Sequence, residues 1–188
     1  MPSLEAGDDV ECTFHDAREA GAIEITKTRK HAADGPGDHP HAGVEFTVTG
    51  GELPAEGVTV TTDANGVACV DGLLLSSFAG EYTVTESVPA GYHADGDTAK
   101  AVSVATESTC GDGNEASVSF GNTPLTDVTV SVNSQIDGGT ASIIVCTDPD
   151  GNVSDGSTGV NGDGSVTVND LEPTAPTVTL TCEVTVDP

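Results

Sequence analysis

The chain has few positive charges and few aromatic side chains. Its 188 residues include 5 Lys and Arg against 31 Asp and Glu, which gives a formal net charge of −26. A surface of this kind repels phosphate, and this argues against nucleic-acid binding and against docking on anionic lipid. Tryptophan is absent and aromatic residues make up 3% of the chain, so the core must consist of Val, Ile, Leu and Ala. Cores this thin often rely on covalent cross-links.

Long apolar runs and closely spaced cysteine pairs are also missing. No run is long enough to insert into a membrane, and "MPSLEAGDD" carries no secretory signal. We interpret this start as a cut inside a longer secreted protein. The cysteines at 12, 69, 110, 146 and 182 never form C-x-x-C, which argues against zinc knuckles and thioredoxin-like motifs. Distant cysteines in a small polar chain favour disulfides and an extracellular location.

Short alternating runs bounded by Gly, Asp, Asn and Pro fill the sequence, as in "EYTVTE" and "DVTVSVN". A period of two is typical of strands, and many short strands predict an all-β fold of sandwiches. "VECTFHD" resembles "SVSFGN" in its alternation and ending. The sequence therefore predicts two β-sandwich modules in tandem, 21–123 and 124–188. Residues 1–20 would supply the last strand of a truncated module and a linker.

A polar side chain ends the apolar row of three predicted strands. These are Lys27 in "AIEITK", Glu86 in "EYTVTE" and Asn122 in "ASVSFGN". Because successive side chains in a strand point to opposite faces, each of the three extends a core-facing row. We expect them at the same end of strands that lie side by side. In a second interpretation, Lys27 extends to water, Glu86 is its ion-pair partner and Asn122 is a turn residue.

When a Lys, a carboxylic acid and a carboxamide are buried together, the Lys amine can form an amide bond with the carboxamide carbon, and the acid can act as the catalyst. Burial lowers the pKa of a Lys and raises that of a Glu, which favours a neutral amine beside a neutral acid. The amine of Lys27 would attack the side-chain carbonyl of Asn122, with Glu86 polarising the carbonyl and moving protons while ammonia leaves. Folding itself would supply the proximity that a substrate site normally provides.

Several motifs resemble the CnaB-type (prealbumin-like, SpaA-like) domain of Gram-positive surface proteins and pilins. They are "GAIEITKT", "HAGVEFTV", "TTDANGVACVDGL", "GEYTVTESVPAGY" and "VSFGNTP", which occur in that order within residues 21–123. The resemblance implies a prealbumin-like sandwich with an isopeptide bond from Lys27 to Asn122 and Glu86 as its catalyst. It also implies that Asp16 occupies the acceptor position of the preceding module.

Other candidate sites are weaker. His31, His39 and His41 lie in the polar segment 31–43, which we interpret as a solvated loop and not as a metal site. "DPDGN" and "NGDG" lack the ligand spacing of a calcium loop and are interpreted as turns. No pattern indicates an enzyme acting on an external substrate, and no cofactor is expected.

Pairing within modules predicts disulfides Cys69–Cys110 and Cys146–Cys182 and leaves Cys12 without a partner. Residues 124–188 contain no Lys or Arg, so a Lys isopeptide bond is impossible there. Val178, Leu180, Cys182, Val184 and Val186 form one apolar row, which predicts that Cys182 faces the core.

The predicted function is a structural stalk or adhesin module of a bacterial cell-surface or cell-wall protein. Its partners would be neighbouring modules of the same longer protein, without nucleic acid and without membrane insertion. The alternative is an extracellular module without an isopeptide bond that binds a host glycan or protein.

Overall fold

The computed structural model describes residues 7, 9, 11, 13, 18–30, 37–132, 142–157, 164–172 and 179–185. Apart from one short helix, α1 (Ser76–Ala79), the regular elements of these residues are strands. The predicted all-β fold is therefore confirmed. None of the helical structure described is long and apolar enough to cross a membrane. Cys12, Asp16 and His31 lie outside the described residues, so the expectations for them stay predictions.

Two sheets face each other between residues 20 and 124. One has the order β2-β1-β9-β7, with β5 also paired to β1, and the other has the order β4-β3-β6-β8. The strands of the first are β1 (Ala20–Lys30), β2 (Asp38–Pro40), β5 (Val67–Leu74), β7 (Tyr92–Ala94) and β9 (Ala116–Pro124). Those of the second are β3 (Glu45–Gly50), β4 (Val58–Thr61), β6 (Tyr82–Ser87) and β8 (Ala99–Val102).

The space between these sheets is filled mainly by aliphatic side chains, as the composition requires. The buried cluster comprises Ile23, Ile25, Val44, Phe46, Val48, Ala68, Val70, Leu73, Leu75, Tyr82, Val84, Val102, Val104 and Phe120. Alternation along each strand sends these residues inward and leaves polar neighbours outside. The rings of Phe46 and Phe120 pack 5.0 Å apart across the interior.

A smaller pair of sheets follows from residue 126. β10 (Thr126–Val132) pairs with β13 (Gly164–Leu171), and β11 (Ile143–Thr147) lies between β12 (Val153–Ser157) and β14 (Thr181–Thr185). Their buried cluster is separate from the first and consists of Ile144, Cys146, Val166, Val168 and Leu171. Two separate clusters accord with two modules, but the boundary at 123/124 stays a prediction.

The segment after β8 provides a hydrogen-bond acceptor at an irregular position in β1. The pairing of β1 with β5 shifts register between Gly21 and Ile23, which frees the backbone N–H of Ala22 from the ladder. This N–H donates to Ser108 Oγ at 3.0 Å, and both residues are buried. The hydroxyl of Ser108 therefore satisfies a donor that has no access to water.

Replacing Ser108 by alanine is expected to lower the free energy of unfolding by about 1–3 kcal/mol, because the buried N–H of Ala22 loses its acceptor. Urea unfolding of the two proteins measures the difference. Ser103→Ala, at an exposed position of the same segment, is the matched control and should have almost no effect. Equal stability of the Ser108 and Ser103 variants would contradict this role for the hydroxyl.

Candidate cross-linking site

Lys27 lies where the neighbour of β1 changes from β5 to β2. Thr26 pairs with Val67, whereas Thr28 pairs with Pro40. Between them, the N–H of Lys27 donates to the carbonyl of Gly66 at 2.7 Å. Gly66 has φ +74°, and a Cβ there would lie 2.3 Å from the carbonyl oxygen of Lys27. Only glycine fits here without a shift of the backbone, and this close approach fixes β1 at the site.

Asn122 is placed beside Lys27 by the parallel pairing of β1 and β9. In this register Lys27 is opposite Phe120 and Arg29 is opposite Asn122. Paired residues of neighbouring strands share a face of the sheet, so Lys27 and Asn122 both point into the interior. On its other edge β9 pairs with β7, where Ala94 is opposite Asn122.

Glu86 comes from the facing sheet, and this corrects one expectation. β6 is not a neighbour of β1 or β9 but pairs with β3 and β8, with Phe46 opposite Glu86. The inward row of Tyr82, Val84 and Glu86 is as predicted. Sequence parity fixes the face of a side chain but not the sheet to which its strand belongs. The carboxylate therefore reaches the other two side chains across the sandwich.

The three side chains meet at one oxygen atom. Glu86 Oε1 lies 2.9 Å from Lys27 Nζ and accepts a hydrogen bond of 2.7 Å from Asn122 Nδ2. The side-chain exposure is 0% for Lys27 and 1% for Glu86, and Asn122 is also 0% exposed. Lys27 thus does not extend to water, which excludes that part of the second interpretation.

Burial changes the protonation of Lys27. Loss of solvent is the main cause that lowers its pKa, while the close contact with Glu86 and the negative charge of that residue act in the opposite direction and raise it. The charge of Asp95 also raises the pKa and that of Lys100 lowers it. Because burial dominates, the neutral amine is more accessible here than at a surface lysine.

Several polar atoms of the site are unmatched. Among the described residues, Lys27 Nζ, Glu86 Oε2 and Asn122 Oδ1 are buried without a partner in hydrogen-bond geometry. The 2.9 Å approach of Nζ to Oε1 is thus an ion-pair contact that does not satisfy hydrogen-bond geometry. Unmatched buried groups are costly in a core, and their concentration at one point is typical of a functional site.

An aromatic pair that the sequence reasoning missed lies next to Lys27. The N–H of His41 donates to the carbonyl of Lys27 at 3.0 Å, and its ring lies 4.5 Å from that of Tyr92. His41 is buried, so the interpretation of 31–43 as a solvated loop is wrong at this residue. The cause is β2, which pairs Asp38–Pro40 with β1 and carries His41 inward.

Neither disulfide involves the trio, whereas the turn at Asp63 includes Gly66, whose carbonyl accepts from the N–H of Lys27. The described cysteines form Cys69–Cys110 and Cys146–Cys182, the two pairings predicted. The second joins residues directly opposite each other on β11 and β14, with Cys146 buried and Cys182 half-buried. In the turns, Asp63 Oδ1 accepts from the N–H groups of Asn65 and Val67.

The turn "DPDGN" is built like the one at Asp63. Asp148 Oδ1 accepts from the N–H groups of Asp150 and Asn152. Residues 161–163 of "NGDG" lie outside the described residues, together with Val178 and Val186 of the last apolar row.

Comparison with known proteins gives a family and several solved structures. The structures include the Bacillus anthracis TIE protein, at 20% identity and a TM-score of 0.47 over 90% of this chain and 29% of that one. The Streptococcus agalactiae minor pilin GBS52 has 20% identity and a TM-score of 0.42 over 58% and 46%. The Corynebacterium diphtheriae major pilin SpaD has 16% identity and a TM-score of 0.48 over 88% and 57%.

This chain thus spans less than two thirds of each of these three structures. No curated protein matches it. The family model for the SpaA prealbumin-like fold domain matches residues 21–114, which is half of the chain and contains Lys27 and Glu86. The resemblance inferred from the motifs is therefore confirmed, and the chain belongs to the family of SpaA prealbumin-like fold domains.

Proposed function

We propose that residues 21–123 form a structural module of a bacterial cell-surface protein, stabilised by a self-catalysed isopeptide bond between Lys27 and Asn122. The observation that carries this proposal is the position of Glu86 Oε1, within 2.9 Å of Lys27 Nζ and 2.7 Å of Asn122 Nδ2. One oxygen thereby contacts both the attacking and the leaving nitrogen. A carboxyl group in this position suits proton transfer between them.

The reaction is balanced without a cofactor. Transfer of a proton from the Lys27 ammonium to the Glu86 carboxylate gives a neutral amine and a neutral acid. Nζ then attacks Cγ of Asn122, the Cγ–Nδ2 bond breaks, and the nitrogen leaves as ammonia. During the attack Glu86 gives one proton to the leaving nitrogen and takes one from Nζ, so it is again a neutral acid. Loss of that proton to the departing ammonia restores the carboxylate and releases ammonium. Glu86 is thus catalytic only toward its own module, and a protein of this kind is not an enzyme for external substrates.

The bond would make the module suitable for a stalk or an adhesin scaffold. It joins the first and last strands of the larger sandwich, which are neighbours in one sheet. Force applied at the two ends of the module would then pass through a covalent link. Disulfides that persist outside the cell fit the same setting, and neighbouring modules of a longer protein would be its partners.

Glu86→Gln tests the assignment. The amide keeps the size of the side chain and a contact with Asn122 but cannot exchange protons as a carboxyl group does. After reduction of the disulfides, the intact mass of the unaltered chain should be lower than its sequence mass by one ammonia. The Glu86→Gln chain should have the full mass of its sequence.

Glu45→Gln is the matched control. Glu45 lies on β3, next to β6 in the same sheet, but its side chain is exposed. This variant should lose ammonia as the unaltered chain does. Loss of ammonia in the Glu86→Gln chain would remove Glu86 from the reaction, and a full mass in the unaltered chain would refute the bond itself.

A further inference from the structure

His41 directly follows β2 and lies beside Lys27. Pro40 is opposite Thr28 in the antiparallel pairing, so the next step of the register places His41 opposite Lys27. The hydrogen bond of 3.0 Å between their backbones continues this ladder. Directly opposite residues of antiparallel strands share a face, so the side chains of His41 and Lys27 point into the same interior.

The imidazole is held by packing. His41 is 8% exposed, its ring packs against Tyr92, and its carbonyl accepts from Thr62 Oγ1 at 2.7 Å. Tyr92 is held in turn by Arg29, whose Nη1 donates to the phenol oxygen at 3.2 Å. His41 Nδ1 is buried and has no hydrogen-bond partner among the described residues. No part of the reaction proposed above uses this nitrogen.

The charges around His41 favour its neutral form. Lys27 and Arg29 face it from β1 and Glu86 faces it from β6, while Tyr92 packs on it from β7. Burial is the main cause that lowers the pKa of His41, the two cations lower it further, and Glu86 raises it. A proton on Nδ1 would add a buried charge and an N–H without an acceptor.

We propose that His41 is a positioning residue for formation of the Lys27–Asn122 bond, an inference that rests on the proposed function. As a neutral ring packed on Tyr92, it closes the wall beside Lys27 and keeps water from the amine. Water at this point would solvate Lys27 as an ammonium, which cannot attack a carbonyl. Protonation of His41 ejects the ring, admits water and stops the reaction.

The pH dependence distinguishes this role from packing alone. Proton transfer from Lys27 to Glu86 is internal, so the charged pair and the neutral pair bind the same number of protons. The pair alone therefore gives a rate that does not change with pH as long as it holds one proton. A decrease in rate while the pair still holds one proton reports a third group, which we assign to His41.

The experiment follows the loss of ammonia in freshly made chains. Chains made by cell-free translation are released into urea with their cysteines kept reduced. Dilution of the urea then starts folding and the reaction together. The rate is measured by intact mass between about pH 5 and pH 8, the range in which a histidine titrates. His41→Phe keeps a buried ring without a titrating group, and His41→Ser opens the wall.

The unaltered chain should slow in acid, with a midpoint below the ordinary histidine pKa of about 6.5. His41→Phe should react at neutral pH at close to the unaltered rate and lose the decrease in acid. His41→Ser should react at least about tenfold more slowly at neutral pH, because small displacements of reacting groups are costly in rate. Should His41→Ser fail to fold, the profile of His41→Phe decides the question.

His93→Phe, at the exposed position after Tyr92, is the histidine control and should keep the acid decrease. The proposal would be overturned if the reaction of His41→Phe slowed in acid as that of the unaltered chain does. It would also be overturned by a folded His41→Ser that reacts as fast as the unaltered chain. An unaltered chain that never loses ammonia at any pH refutes the proposed function instead.

Discussion

Replacing Lys27 by methionine is expected to lower the free energy of unfolding of residues 21–123 by about 4–5 kcal/mol. The expected bond closes the loop from residue 27 to residue 122, and a link of that length restricts the unfolded chain by about this amount if it acts as a disulfide does. Methionine fills a similar volume without a nucleophile. Urea unfolding with the disulfides intact measures the difference between the two proteins.

Lys30→Met is the matched control for this prediction. Lys30 lies on the same strand, but its side chain is 59% exposed and its partner Asp95 is 3.3 Å away. Exposed ion pairs contribute little, so we expect a change within about 1 kcal/mol. If Lys27→Met and Lys30→Met have the same small effect, no covalent loop joins the two strands.

Removing the Cys146–Cys182 bridge is expected to unfold the smaller pair of sheets, β10 to β14, and to leave the larger sandwich folded. The bridge closes a sequence separation of 36 residues, which corresponds to about 4 kcal/mol of loop entropy. The buried cluster described there has five members, and Cys146 is one of them. A core of that size has little stability left once the link is lost.

Hydrogen exchange read by mass spectrometry would check this with a Cys146→Ala, Cys182→Ala double variant. Peptides from β11 and β13 should lose protection, whereas those from β1 and β6 should keep it. The Cys69→Ala, Cys110→Ala double variant is the control. The larger sandwich should stay protected in it, because the larger buried cluster and the proposed isopeptide bond remain. Unchanged protection of β11 in the first variant would show that the smaller core is stable without its bridge.

Much of the site was predictable because strand geometry is simple. A period of two fixes which residues share a face, and this was sufficient to place Lys27 and Asn122 on core-facing rows. The same rule placed Glu86 behind Tyr82 and Val84. The two disulfides were predictable because each joins cysteines within one predicted module.

The remainder depends on long-range pairing, which alternation does not encode. Glu86 was expected on a strand beside Lys27, but its strand belongs to the opposite sheet. His41 was assigned to a solvated loop, since "HPH" follows a stretch rich in Gly, Asp and Pro. Its burial arises only because β1 extends beyond β5 and takes β2 as its next neighbour. A local pattern gives no signal for such a change of partner.

The most direct measurement is peptide mapping of the reduced, unaltered chain by tandem mass spectrometry. The account predicts a branched peptide that contains Lys27 and Asn122 joined through their side chains and lighter by one ammonia than its two parts. The linear peptide that carries Lys27 should be absent or nearly so. Recovery of both linear peptides at full mass, without the branched product, would contradict the account.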